Sequence, residues 1–232
     1  MSDTSGASDA AGFGYGQQTP EDTSHDMAVI AFIVRQMMSQ MRTNVPVKVV
    51  AVHGGGGAIA AAGTVDVQPL ISQVDGNFNA TPHGTVSGIP WWRLQGGSSA
   101  VICDPLAGDF GYVAVSDRDM SSVKANKGAA NPGSRRKYDL ADGIYVGGIL
   151  GAAPTQYLVF TSSGIQVVDL SGNQMTLSST GINFKGNVTF QNNVVVQGSL
   201  NVTGDTVSDG VDLKTHVHSG VTTGGGDSGP PV

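Results

Sequence analysis

Residues 153–203 constrain this chain more than any other part of it. Across that stretch only Asp169 and Lys185 are charged. Short apolar or β-branched pulses recur at Tyr157 to Phe160, Ile165 to Leu170, Met175 to Leu177, Ile182 to Phe184, Val188 to Phe190, Val194 to Val196 and Leu200 to Val202. Turns such as Ser171-Gly172-Asn173, Ser179-Thr180-Gly181 and Gln197-Gly198 separate them. Ile182-Asn183-Phe184, Val188-Thr189-Phe190 and Leu200-Asn201-Val202 alternate with the period of two that marks strands. Strands this short bury one side chain in two. That is too little apolar surface to offset the ordering entropy of about 50 residues in a single chain. Stacked turns need neighbours, and the spacing is too irregular for a simple one-chain repeat. Intertwining of identical chains supplies the missing core and covers the strand edges. Threefold winding suits such strands, although spacing alone leaves the number of chains open.

The remaining composition narrows the class further. The chain has 232 residues, which allows one or two domains. Charged residues make up 13%, against about 25% in an ordinary soluble domain. With 39% hydrophobic residues and a mean hydropathy near zero, the chain is too apolar for a long disordered tail. A net charge of −6 argues against broad affinity for nucleic acid. The lone Cys103 excludes an intrachain disulfide framework and a multi-cysteine zinc site. No apolar run approaches the roughly 18 residues that cross a bilayer. The longest, Met27 to Val34, follows acidic Glu21, Asp22 and Asp26, the wrong flank for a secretory signal.

The fold class expected is mainly β, with a helix and a small barrel ahead of the intertwined segment. Residues 1–26 read as a flexible arm. Residues 27–44 carry a helix, with Ile30, Ile33, Val34, Met37 and Met41 at helical spacing and Asp26 able to cap it. That helix is apolar over more than one face, so it docks on its own domain or serves in assembly. Residues 45–145 read as an OB-fold-like barrel of five short strands: Val45 to Val52, Thr64 to Ile71, Thr85 to Leu94, Ala100 to Asp104 and Tyr112 to Ser116. Val65, Val67 and Leu70 are the inward residues of the second. Residues 118–140, with Arg135, Arg136 and Lys137, read as a solvated basic loop. Residues 146–204 form the intertwined β-helix shaft and residues 205–232 its apex.

The apex carries the chemistry. In an extended strand His216 and His218 project to one side, with Val217 opposite. One chain offers two imidazoles, too few for a tight site. Three chains around an axis offer six, enough for a closed octahedral site. Imidazole suits iron, nickel, zinc and copper, and six nitrogens disfavour zinc. With no open position, such a site is structural.

The order of helix, small barrel, charge-poor β-stack and terminal His-x-His before a Gly/Pro tail resembles the central membrane-piercing spike of contractile phage tails. These spikes occur in Mu-like phages and related tail-like particles. Val65-Asp66-Val67-Gln68-Pro69-Leu70, Ile89-Pro90 and Pro105-Leu106-Ala107-Gly108-Asp109-Phe110-Gly111 are similar to the barrel of these spikes. Thr215-His216-Val217-His218-Ser219-Gly220 is the more specific part of the likeness. The resemblance spans roughly residues 27–232. It implies a homotrimer in the virion whose barrel joins the baseplate hub and tail tube and whose shaft enters the host envelope. It also implies one iron ion per trimer, held by His216 and His218 of each chain. Some members bind calcium or chloride near the tip, and Asp205, Asp209 and Asp212 could serve a hard cation.

Other motifs lead elsewhere and fail on context. Gly226-Asp227-Ser228-Gly229-Pro230 resembles the nucleophile loop of chymotrypsin-like proteases, but Pro230 replaces a glycine of that pattern and four residues after Ser228 cannot complete a barrel. Gly54 to Gly57 lacks the Lys-Ser/Thr and the helix of a phosphate loop. Trp91-Trp92 places one ring inside and one outside, the outer one an interface anchor before a sugar platform. Cys103 reads as a small buried residue. No enzyme is expected. The alternatives are a trimeric tail-fibre or adhesin that binds a receptor, and an OB-fold ligand-binding protein.

Overall fold

The computed structural model describes residues 17–55, 59–77, 79–217, 219–220 and 224. The protein is mainly β and divides into two compact units, Met1–Ala153 and Pro154–Val232.

The first unit begins with a 3-10 turn, Glu21–Thr23, and helix α1, Asp26–Ser39. Of the expected flexible arm, residues 1–16 lie outside the described residues. The remainder carries this turn, whose Asp22 pairs with Arg35 of α1. The helix is capped one residue earlier than expected: His25 Nδ1 accepts from the Ala28 N–H at 3.1 Å. Strands follow as β1 (Asn44–His53), β2 (Thr64–Pro69), β3 (Gln73–Val74), β4 (Ala80–Thr81), β5 (Val86–Pro90), β6 (Leu94–Gly96), β7 (Ser99–Val101) and β8 (Phe110–Val115). A short helix α2 (Ser121–Asn126), a 3-10 turn (Leu140–Asp142) and β9 (Gly143–Gly147) complete the unit.

Five antiparallel strands form one sheet in the order β5-β2-β1-β8-β9. Their inward side chains alternate as the pleat requires. Val47 and Val49, Val65 and Val67, Ile89, Val113 and Tyr145 are buried, with Trp91 and Leu140 closing the core. Two irregularities curl the sheet: the register shifts between Val49 and Ala51 and between Val65 and Val67. Extra residues of this kind bend a strand and raise its twist. Asp66 fixes the second, accepting from the Gly88 N–H at 3.1 Å and meeting His53 Nε2 at 2.9 Å. The curl brings the two sheet edges together: Trp91 bridges Tyr145 in parallel, and the Trp92 N–H donates to the Tyr145 carbonyl at 2.8 Å.

Three expectations change here. The fifth strand is Gly143–Gly147, whereas the expected strand at Ala100 to Asp104 is shortened to β7 and pairs only with β6. Leu70 is exposed, and the third inward residue of β2 is Pro69. The basic loop is not simply solvated. The Arg136 guanidinium grips Asp142 through two hydrogen bonds of 2.7 and 2.9 Å, with the buried Asp119 at 3.4 Å. Asp119 also accepts from the Ser121 N–H and the Ser134 hydroxyl, and Asp142 from the Met120 N–H. Two buried carboxylates facing one guanidinium tie the loop to the 3-10 turn before β9, which the separation of these residues in sequence conceals.

This cluster makes the fold acid-sensitive. Hydrogen bonds from Ser121 and Ser134, with the charge of Arg136, hold the Asp119 carboxyl well below the usual carboxylate range. A depressed folded value contributes stability that is full above the unfolded value, near about 3.9, and is lost as pH falls through the folded one. The denaturation midpoint is expected to drop as pH falls below about 4. Asp119→Asn should flatten that drop in urea titrations at stepped pH; parallel curves for the two proteins would contradict it.

The second unit contains β10 (Tyr157–Thr161), β11 (Gly164–Val168), β12 (Gln174–Ser178) and β13 (Gly181–Lys185), an antiparallel meander in sequence order. Tight turns join the strands. The Asp169 carboxylate caps the middle one, accepting from the Ser171 and Asn173 N–H groups. Gly164 is required at its turn: at φ +145° a Cβ there would stand 1.9 Å from the Leu177 carbonyl oxygen. A two-stranded hairpin, β14 (Val207–Ser208) and β15 (Val211–Asp212), follows.

Candidate metal centre and self-association surface

No described residue of the second unit is buried, in contrast to the nine-residue hydrophobic core of the first. One face of the meander carries bare apolar side chains: Leu158 and Phe184, like Phe160 and Ile182, fall in line across the four strands, and all four are exposed. Between β13 and β14 the described residues make no ladder. Residues 187–204 form no backbone hydrogen bond with any other described residue. The pulses expected there at Val188 to Phe190, Val194 to Val196 and Leu200 to Val202 are therefore unpaired within one chain. Their side chains are exposed too, Val195 to 82%. Strand-like residues with unpaired backbone groups and uncovered valines are a ready template for pairing with a neighbouring chain. The low charge of the segment gives those partners no electrostatic barrier to approach.

The hairpin at 207–212 leads into the candidate ligands. Asp209 and Gly210 both have positive φ, 49° and 79°, which matches the twist of a two-residue hairpin turn. The Asp212 carboxylate then accepts from the N–H groups of Lys214 and Thr215 at 2.8 and 2.9 Å, while its carbonyl accepts from the His216 N–H at 3.0 Å. This turn places His216. Its Nδ1 lies 3.0 Å from the Leu213 carbonyl oxygen. A carbonyl only accepts, so Nδ1 carries the proton and the lone pair of the neutral ring resides on Nε2. Metal-bound histidines are oriented in this way, with the second nitrogen donating to a carbonyl or carboxylate. His218, the second expected ligand, lies outside the described residues.

Of the three aspartates considered for a hard cation, Asp205 and Asp212 have other partners. Contact with Asp205, then hydrogen bonds from Thr215 and Lys214, hold the Asp212 carboxyl below its ordinary range. Asp209 occupies the hairpin turn. Among the described residues of one chain, no group of three His, Cys, Asp or Glu side chains converges as a metal site. A site shared between chains takes only two ligands from each.

No known protein family matches the chain by sequence, and no curated protein does either. Among the described residues, no helix is long and apolar enough to cross a membrane.

The first unit contains a separate cavity of about 500 Å³ beside the joined sheet edges. Trp92, Leu94, Val101 and Leu150 supply its apolar wall and are exposed. Cys103, expected inside, is exposed at its rim. Its inner wall holds a buried ion pair, Arg93 to Asp104 Oδ1 at 2.6 and 3.1 Å, and Arg93 also donates to the Ala60 carbonyl. Trp91 Nε1, Asp104 Oδ2 and the Tyr145 hydroxyl are buried without a hydrogen-bond partner among the described residues. Burial, with the charge of Asp109, pushes the Tyr145 hydroxyl up to about 12. Sequence reasoning named Trp91, Trp92 and Cys103 here but neither the ion pair nor Tyr145, because these residues meet only when the sheet edges join.

Proposed function

We propose that this chain forms the trimeric central spike at the tip of a contractile tail baseplate and pierces the host envelope when the sheath contracts. The observation that carries this reading is the second unit: a charge-poor segment whose described residues are none of them buried, with a run, residues 187–204, that has no backbone partner among the described residues. Three copies wound about one axis supply those partners and close every strand edge. The strand order of the first unit supports an OB-fold barrel ahead of the shaft. Its first strand lies between the second and fourth, and the third and fifth meet in parallel at Trp91 and Tyr145.

At the apex His216 and His218 of three chains hold one iron ion. The fit rests on His216, whose Nδ1–H is committed to the Leu213 carbonyl and whose Nε2 therefore presents the lone pair. The ion ties three strand ends together and supplies no reaction. Binding that exists only in the folded trimer adds to its stability. The action of the protein is mechanical: a narrow shaft with few charges to desolvate enters the envelope, and the closed tip resists fraying.

Sedimentation of the purified protein should give three times the chain mass, and metal analysis one iron per three chains. Labelled particles should place the protein on the tail axis. A single-chain mass would overturn the reading, and a peripheral position would favour a receptor-binding fibre.

The cavity beside Trp92 favours a second reading, an OB-fold barrel that binds an oligomer with apolar faces and hydroxyl groups. Quenching of tryptophan fluorescence by oligosaccharides, lost in Trp92→Ala, is its test; an unchanged signal at millimolar sugar would remove it.

A further inference from the structure

Helix α1 holds an apolar face that the other described residues leave bare. Met27, Ile30, Val34 and Met37 of α1, with Met41 two residues beyond its end, are spaced alternately three and four residues apart, the heptad pattern of a coiled-coil seam. Met27 and Met37 are each 68% exposed and Ile30 53%. Ile33 and Met38 flank the seam and are exposed as well. The opposite side of the helix is already in use. Ala28, Val29, Phe32 and Gln36 are half-buried, and the Asp22–Arg35 pair joins α1 to the 3-10 turn at Glu21–Thr23. Packing within the chain has therefore covered the side away from the heptad stripe.

We propose that this stripe is the seam of a parallel three-stranded coiled coil, formed with the α1 helices of two further copies of this chain. The seam carries no charge from Met27 through Met41, and Arg35 and Arg42 project from other positions. Identical chains in parallel place like residues opposite one another, so a charged seam would repel itself; an uncharged one suits self-pairing. Apolar residues beside the seam, Ile33 and Met38, widen the buried face beyond what a two-stranded coil covers. A cyclic arrangement about one axis makes the three helices parallel. Two heptads are too short to associate alone. Tethering to an assembled shaft raises their local concentration enough to pair. The proposal thus rests on the threefold reading of the second unit and adds a second clamp at the other end of the sequence.

The test is disulfide trapping in the full-length protein. Cys103, which is exposed, is first replaced by Ser. Ile30→Cys then places a thiol on the seam, and Ser39→Cys places one on the outward face. With mild oxidant, Ile30→Cys should link about two thirds of the chains as covalent pairs, since one disulfide joins two of three closely approaching thiols. Ser39→Cys should link under about a tenth of that. Met37→Cys, the next seam position, should repeat the result if Ile30→Cys folds poorly. Sedimentation of the reduced proteins is measured alongside. A trimer in which the Ile30 and Met37 cysteines link no better than the Ser39 cysteine overturns the seam and leaves the shaft reading standing; a helix that serves a different protein gives this result. A monomer overturns both.

Discussion

His216→Ala with His218→Ala is expected to abolish the proposed iron binding completely while leaving the proposed trimer intact in sedimentation. On the proposed threefold site the metal should fall from one ion per three chains to none, because all six proposed ligands disappear at once. The trimer should persist because the association proposed for it rests on the strands and valines of residues 157–202, which the two substitutions leave unchanged. Leu213 provides the finer test. Its carbonyl sets the tautomer of His216 from the main chain, so Leu213→Ala should retain the iron. Acid should release it, since a ligating imidazole must be neutral: protons compete increasingly as pH falls toward and below the free-histidine value of about 6.5. Iron measured by elemental analysis after gel filtration reads all three results. Full iron in the double variant would refute the assignment of the ligands.

Trp91→Ala and Trp92→Ala, one residue apart, should differ more than any other adjacent pair. Trp91 is 5% exposed and belongs to the hydrophobic core, whereas Trp92 is 59% exposed. Truncating a buried tryptophan removes its contacts and leaves a cavity, at a cost of about 3–5 kcal/mol. Truncating an exposed one shifts stability by no more than about 0.5 kcal/mol. Trp91→Phe should recover much of the loss, because the indole N–H it discards is buried and has no partner among the described residues. Urea midpoints at constant slope measure all three. Equal losses for the two alanine variants would mean that the sheet edges do not meet at Trp91 and Tyr145.

Several features were legible in the residues themselves because they depend on local periodicity. Val65 and Val67 alternate with the polar Thr64, Asp66 and Gln68 and do face inward. The opposed environments of Trp91 and Trp92 follow from the same alternation. The turns at Ser171-Gly172-Asn173 and Ser179-Thr180-Gly181 lie where the meander reverses. Features that depend on long-range pairing were not legible. Gly143–Gly147 is bounded by glycines and follows a polar loop, so its own sequence gives a weak strand signal; its place in the sheet comes from pairing with β8. Arg136 stands in a basic cluster that suggests solvent, and only the fold brings Asp119 and Asp142 to it. Cys103 lies beside strand residues but at the rim of a cavity, where composition cannot place it.

The sequence alone determined that this chain is mainly β, that it carries an N-terminal helix, and that residues 153–203 hold too few charges and too little bulk to make a private core. Those properties follow from side-chain chemistry and period, which each residue carries with it. Only the tertiary structure decided which strand closes the sheet, which carboxylates hold Arg136, and that residues 187–204 find no backbone partner among the described residues. Hydrogen bonds and burial between distant residues depend on where the backbone returns, and that is a property of the whole fold.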